Sequence, residues 1–511
     1  MIVGVAKSEI SSRHMINCHL QGFANPEQIA RSVREPLYSR CFVFCDKDAE
    51  CRCVALVVVD IWSCTMALKK LILDKIADDP TLKDLFFEDN LQVCGTHTHS
   101  GPSGLSSFKL YQVFGADVFG FNRDIAGDVA DAVVKSISSA YQTRKESIIR
   151  LGEGICPKDS SIQKLKKCGG QRSSLAYQNN PQAELDLYGS STDETMTLVR
   201  IDDLDANPIG MICWYPIHGT DYGQKNLSIC GDNKGLAANY FETAMYDVSD
   251  KFVAAFANSN AGDVSGNIDY FSPPDGTHDH DHAVAHGTQQ FEAALSIYNT
   301  DLTKISGAVW CCHQKHDLSQ VKMPDGTRTF PAAIGLSTLA GSREDGDPGT
   351  LLREGITTED ISASEQGFLL VAREASQFLL GIRNPKGYHE DIDGHHPKPI
   401  VFFAEDSVPS CLPLQVVQFG GVLSVGVPGE LTTMAGRRLR KSIENIMKAK
   451  GMPDYCVVLT CYSNGYSQYI TTPEEYQKQH YEGASTLYGP YTLNAYEYLF
   501  SGMLNAAVSD R

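Results

Sequence analysis

The chain has 511 residues, 42 % of them hydrophobic, enough for a large core or for two to three domains. Its formal charge of −18 at pH 7 argues against a nucleic-acid binder, because nothing would neutralise the phosphates. No window approaches the ~18 uninterrupted apolar residues of a membrane span, so the composition fits a soluble enzyme better than a polybasic membrane binder.

In chain order, MIVGVAKSEI lacks the charged and apolar regions of a secretory leader and reads as the first strand. A cytoplasmic setting is therefore expected, with a secreted one the alternative if a leader has been removed. CVALVVVDIWS (53–63) reads as a buried strand and TMALKKLILDKIADD (65–79) as an amphipathic helix. IAGDVADAVVKSISSAY (125–141) is a second helix. MAGRRLRKSIENIMKAKG (434–451) is a third, with Gly451 as its C-cap. The stretches 155–192 and 315–360, rich in Gly, Ser, Asp and Pro, are expected to wrap the surface. No repeat or long linker interrupts the pattern. The expected class is α/β, a mixed β-sheet core flanked by helices, in a single domain spanning residues 1–511. The 16 cysteines are too few for a disulfide scaffold. Cys94, Cys213, Cys456 and Cys461 lie in apolar runs, where a reduced thiol packs as a small hydrophobe. Cys51 and Cys53, and the adjacent Cys311 and Cys312, are spaced poorly for a four-ligand zinc site. Reduced core cysteines are the expectation, in keeping with an intracellular setting.

Several apolar runs stop at glycine or proline breaks that carry polar side chains. DNLQVC (89–94) leads into GTHTHSGPSG (95–104), with His97 and His99. MICWYPIH ends at His218, KFVAAFANSNAGDVSGN carries Asp263 and Ser265, VLSVGVPGE ends at Glu430, and CVVLTCYSNGYSQY leads to Tyr466 and Tyr469. Strand ends are where α/β folds build sites, because the sheet fixes the backbone and the loop offers side chains. These ends point to one convergent site. In an extended segment residues i and i+2 face the same side, so His97 and His99 both point into one cavity. Either they serve one metal, for which Zn²⁺ suits imidazole donors, or they form a hydrogen-bonded polar turn. His218 and Glu430 favour the metal, since three protein ligands and an open position make the usual catalytic zinc site; Glu430 is otherwise a helix N-terminal acid. Ser265, flanked by glycines, is either a displayed nucleophile or a plain turn serine, and no base adjoins it in sequence. THDHDHAVAH (277–286) is a rival metal cluster, but no strand holds it, and it reads as a solvated loop entering a helix. SSFKLYQVFGADVFGF (106–121) offers Phe108, Tyr111, Phe114, Phe119 and Phe121, either as an apolar wall for a ligand or as ordinary core.

The same residues sit inside longer motifs: THTHSGP (96–102), RSSLAYQNNP (172–181), CGDNKG (230–235), NAGDVSGN (260–267), VPGELTTMAGRRLR (427–440) and YITTPEEYQKQHYEGASTLYGPYTL (469–493). Together they resemble the neutral (non-lysosomal) ceramidase family, zinc amidases that cleave the N-acyl bond of ceramide to give sphingosine and a fatty acid. Position by position, the resemblance implies Zn²⁺ held by His97, His218, Glu430 and Tyr469, with His99 as an acid/base beside it. Arg172 and Tyr481 match residues around the scissile amide, and Ser265 matches a serine required for activity. The implied chemistry is attack of zinc-bound hydroxide on the amide carbonyl, protonation of the leaving nitrogen by an imidazole, and an oxyanion held by Tyr481 and Arg172. Ser265 then binds the substrate head group. The same site can run hydrolysis or, with water excluded, amide synthesis. The alternatives are a Ser265-dependent N-acyltransferase on a non-sphingolipid amine and a non-catalytic binding protein that keeps the fold. The implied partner is a small N-acyl amide or lipid, with peripheral membrane contact and no nucleic acid; nothing in the pattern assigns an oligomeric state.

Three features depart from the family pattern. Gly266 stands where the serine motif usually reads GDVSPN, and GTDYG follows His218 in place of a proline-containing turn. The family's leader and C-terminal immunoglobulin-like domain have no counterpart in these 511 residues. An intact metal set with altered surroundings is the pattern expected if amide chemistry is kept and the substrate changes.

Overall fold

The computed structural model describes residues 1–47, 52–112, 121–156, 169–267, 278–344, 352–380, 389–452 and 454–509. Ile2–Glu9 is the first strand, as expected, and it pairs antiparallel with Tyr38–Cys45 over its whole length. The sheet grows in both directions from this pair. On one side follow Cys53–Val59 and Leu91–Gly95; on the other follow Lys145–Ile155, Thr195–Asp203, Pro208–Trp214 and Val253–Ala257. Cys53–Val59 is buried at every position, as a continuous apolar strand covered on both faces must be.

A second sheet contains Val309–Asp317, Cys411–Phe419, Val422–Gly426 and Cys456–Thr460. Side-chain alternation then builds the layers. Phe42, Phe44, Val54, Leu56 and Val58 of the first sheet meet Val417, Phe419 and Val458 of the second, and Phe44 stacks on Phe419 at 4.0 Å. The intervening residues Cys41, Val43, Ala55 and Val57 face the helices Met66–Asp78 and Arg123–Thr143. Val416, Val457 and Leu459 face Thr433–Ala449 and Thr492–Ser509. The core is thus two sheets between outer helices, the expected mixed sheet flanked by helices.

The helix signals are read correctly. Thr65 and Asn122 cap the first two helices with their side chains, and Thr432 caps the third. Gly451 takes φ +76 just past that helix, the left-handed stop expected there. Among the described residues no helix is long and apolar enough to cross a membrane.

Three expectations need correction. Cys94, Cys213 and Cys461 are buried and unbonded, but Cys45 and Cys53 form a disulfide. They are register partners across the antiparallel strands, with Cα atoms 4.1 Å apart, a pairing that appears only once the strands are folded together. The stretch 155–192 does not simply wrap the surface: Gly170–Gln171 is a buried strand paired with Val264–Ser265. Ala333–Gly335, within 315–360, is likewise a buried strand. Finally, THDHDHAVAH is mostly helix, since Asp279–Tyr298 begins inside it and turns His282 and His286 into the interior.

Three parallel pairings place the chemistry. Leu91–Gly95 runs beside Cys53–Val59, Pro208–Trp214 beside Val253–Ala257, and Val422–Gly426 beside Cys456–Thr460. Parallel neighbours end on the same side, so the polar breaks that follow them gather at one edge.

Candidate metal centre

The chain does not stay extended through THTHSG. His97 has φ +69, in the left-handed region that a side chain rarely adopts. That turn, rather than simple alternation, brings both imidazoles into one cavity, with Nε2 of His97 and Nε2 of His99 3.1 Å apart. The His99 N–H then donates to the Gly219 carbonyl, joining this turn to the one after His218. Glu430 and Tyr469 are adjacent register partners in a short parallel ladder.

The donor geometry fits a metal. Nδ1 of His97 donates to the Trp62 carbonyl at 3.0 Å, and Nδ1 of His218 donates to the Ala261 carbonyl at 2.6 Å. Each ring therefore turns a bare Nε2 lone pair inward. Oε2 of Glu430 lies 3.2 Å from His218 Nε2 and 3.4 Å from His97 Nε2. Two lone pairs facing a carboxylate oxygen repel unless a cation lies between them. Atoms held about 2.0–2.1 Å from a tetrahedral zinc sit about 3.4 Å from one another, so both histidine–Glu430 separations fit a zinc ligand set. His97, His99 and His218 also bring their ring nitrogens within 4.8 Å of one another.

Electrostatics agree with this reading. Burial pushes the Glu430 carboxyl up, but positive charge placed on the His97 and His218 imidazoles outweighs it and holds the group well below the usual carboxylate range, so the pocket favours a cation between these three groups. Burial, with Arg172 adding to it, lowers His218 to about 4. Burial and the neighbouring His97 and His218 rings hold His99 well below its usual value. His99 and His218 are thus neutral at pH 7, the form in which imidazole binds metal or accepts a proton.

Arg172, Tyr469 and Tyr481 gather beside this cluster, whereas Ser265 is joined to Arg172 through the backbone of a short strand pair. Arg172, almost completely buried, donates from Nε to Glu482 Oε1 at 2.9 Å. Its Nη2 donates to the Gly262 carbonyl at 2.8 Å and to the Tyr469 hydroxyl at 2.9 Å. The rings of Tyr469 and Tyr481 meet edge-on at 5.3 Å, and burial pushes the Tyr481 hydroxyl up to about 12. Ser265 is buried and paired with Gly170, two residues before Arg172.

Sequence reasoning placed Tyr466 at a strand end without giving it a role, and it missed Tyr462, Trp62 and Glu482. Tyr462 stacks on His97 at 4.0 Å and donates to Glu430 Oε2 at 3.3 Å, while Tyr466 donates to Glu430 Oε1. Trp62 offers its carbonyl to His97 and packs on Tyr466 at 4.0 Å. Glu482, directly after Tyr481, fixes Arg172. The signal for Tyr462 and Trp62 was present, since each lies at the end of an apolar run. Of the aromatic insert, Tyr111 joins this wall against Trp62 and Tyr466. Phe108 and Phe121 pack in the cores, and Phe114 and Phe119 lie outside the described residues.

Residues 1–498 match the profile of the family described as neutral/alkaline non-lysosomal ceramidase, N-terminal. The chain belongs to this family. Neutral ceramidases are amidohydrolases that act on the N-acyl amide bond of ceramide. Neutral ceramidase A of Dictyostelium discoideum is 31 % identical over 535 residues, covering 96 % of this chain and 70 % of that protein. The neutral ceramidase of Pseudomonas aeruginosa is 32 % identical over 512 residues, covering 98 % of this chain and 71 % of that protein. Among solved structures, a ceramidase complexed with C2 matches with a TM-score of 0.83 at 28 % identity, covering 100 % of this chain and 75 % of its own. The Pseudomonas aeruginosa neutral ceramidase structure gives 0.82 at 27 %, covering 100 % and 74 %. Family and α/β class are therefore as the ceramidase-like motifs implied.

Proposed function

We propose that this ceramidase-family protein is a zinc-dependent amidase that hydrolyses the N-acyl bond of ceramide or of a closely related N-acylated amine. The observation that carries the reading is the convergence of two backbone-anchored imidazoles on one buried carboxylate oxygen. His97, His218 and Glu430, with Tyr469 beside them, would hold the zinc. When bound, the metal supplies Lewis-acid polarisation of the amide carbonyl and a water acidic enough to be nucleophilic near pH 7.

The chain's own residues do the rest. His99, neutral and with its Nε2 turned toward His97 in the same cluster, takes a proton from the attacking water and returns it to the leaving nitrogen. Without that proton the amine is a poor leaving group. Arg172 and Tyr481 face the carbonyl oxygen as charge develops on it. Arg172 arrives already oriented, because Glu482 and the Gly262 carbonyl fix its guanidinium, and that pre-organisation is paid before substrate binds. Tyr111, Tyr462, Tyr466 and Trp62 keep bulk water from one side. Ser265 holds the polar head group. A relative solved as a ceramidase complexed with C2 supports a lipid amide as substrate.

The test is an activity screen of zinc-loaded protein against N-acyl sphingosines, N-acyl amino acids and simple acyl amides. Release of fatty acid from N-acyl sphingosine, lost on chelation and restored by Zn²⁺, is expected. Activity indifferent to chelation overturns the zinc reading. An acyl adduct on Ser265, seen by mass spectrometry, replaces it with a covalent route.

A further inference from the structure

We propose that the buried Asp221–His286 pair is a positioning element for Ser265, and that Gly266 is the residue that admits it. Nδ1 of His286 lies 2.9 Å from Oδ1 of Asp221, with both side chains almost completely buried. His286 comes from the helix Asp279–Tyr298, and thus from the histidine-rich stretch that the metal centre leaves unused.

The pair is tied to the site on two sides. Toward the metal centre, Nδ2 of Asn233 donates to Asp221 Oδ2 at 2.8 Å and to the His218 carbonyl at 2.8 Å. Toward Ser265, the contact is with Gly266. A Cβ placed there would lie 2.1 Å from Asp221 Oδ1 and 3.0 Å from His286 Nδ1. The carboxylate therefore occupies the space that any other residue at 266 needs for its side chain. Asn267 closes the stitch: its N–H donates to Ser265 Oγ at 3.1 Å, and its Nδ2 donates to the Thr220 carbonyl at 2.9 Å. The turn after His218 and the turn that carries Ser265 are thereby locked into one unit. In a low-dielectric interior such a polar network is rigid while every member is satisfied.

One consequence concerns the two turns that depart from the family motifs. A proline at 266 has a Cβ, so it cannot coexist with Asp221 where Asp221 now stands. Gly266 and the GTDYG turn are therefore one structural change. It sets where the Ser265 hydroxyl sits and hence which head group it accepts.

The inference rests on the proposed function only for its kinetic arm. Five variants test it: Gly266→Ala, Asp221→Ala, their double, His286→Leu and His286→Asn. In the crystal structure of Gly266→Ala, the Ser265 hydroxyl is expected to be displaced, and in the double variant it returns, because the methyl fills the vacated carboxylate space. With a short-chain N-acyl sphingosine, kcat/KM is expected to fall roughly 10²-fold in Gly266→Ala and His286→Leu, the cost of misplacing a site group by about 1 Å. KM should carry the larger share, and zinc content should stay constant. His286→Asn, whose side-chain amide can replace the Nδ1 donor, should keep most of the activity. An unmoved Ser265 in Gly266→Ala overturns the proposal, as do wild-type constants in His286→Leu or equal losses in His286→Leu and His286→Asn. If the wild type cleaves no N-acyl amide, the proposed function falls, and the crystallographic arm alone decides this inference.

Discussion

His97 and His99 meet Nε2 to Nε2 at 3.1 Å, yet only His97 is anchored through its other nitrogen, to the Trp62 carbonyl. Metal-ligating histidines nearly always donate their second N–H to a carbonyl, carboxylate or water, which fixes tautomer and ring orientation. His97 and His218 do so; among the described residues Nδ1 of His99 does not. The zinc site proposed above therefore has the two histidines of one short motif divide their work. His97→Ala should lose bound zinc. His99→Ala should keep it and lose about 10²- to 10⁴-fold in kcat, the range of a general acid–base. Zinc content by elemental analysis, beside turnover, measures the split. Equal loss of metal in both variants would sink it.

Glu430 is held by two phenols, Tyr466 on Oε1 and Tyr462 on Oε2. Such outer partners typically govern metal affinity by 10–100-fold. Tyr466→Phe keeps the ring against Trp62 and Tyr111 and removes only the donor. Zinc affinity, measured by competition with a chromophoric chelator, should weaken by about 10- to 100-fold with a stability loss near 1 kcal/mol. An unchanged affinity would show that Tyr466 serves packing alone.

Much of this was legible in the chain. Period-two alternation and continuous apolar runs gave the strands, capping residues gave the helices, and apolar runs ending in polar breaks marked the edge where the site lies. What stayed hidden depends on contacts distant in sequence. The left-handed turn at His97 is held by contacts distant in sequence, as from its own N–H to the Ile61 carbonyl in the bend after Cys53–Val59, and no pattern within THTHSG encodes it. Arg172 lies in a stretch whose composition resembles a surface loop, and it is buried only because Glu482, Gly262 and Tyr469 satisfy it. The Cys45–Cys53 bond and the Asp221–His286 pair likewise join residues that become partners only when strands and helices pack.

The guanidinium of Arg172 reaches Glu482, Gly262 and Tyr469 at once from a planar fork. Lysine keeps the charge but offers a single point donor on a flexible stem. Arg172→Lys should therefore lower kcat by about 10²–10³, the usual cost of losing one donor to a developing oxyanion, while zinc content is unchanged. Steady-state kinetics with parallel metal analysis checks this. A rise in KM at constant kcat would assign Arg172 to binding and not to the transition state.

His395 offers a titration away from the metal centre. Its Nε2–H donates to the Pro331 carbonyl at 2.8 Å, and Nδ1 lies 3.3 Å from the Tyr476 hydroxyl. Burial lowers its pKa to about 3, with Lys398 adding to the shift against the hydrogen bond to Pro331. The unfolded chain, with a histidine pKa near ~6.5, takes up this proton more readily than the folded one. Stability from this residue is therefore intact above about pH 6.5 and is lost progressively as the pH falls toward about 3. In His395→Gln the side-chain amide can keep the donor to Pro331 but cannot titrate. Thermal melts of metal-free protein between pH 7 and pH 4 (a range set by the two pKa values) should show a shallower fall for the variant than for the wild type. Parallel curves for the two proteins would mean that His395 charges as easily in the fold as outside it.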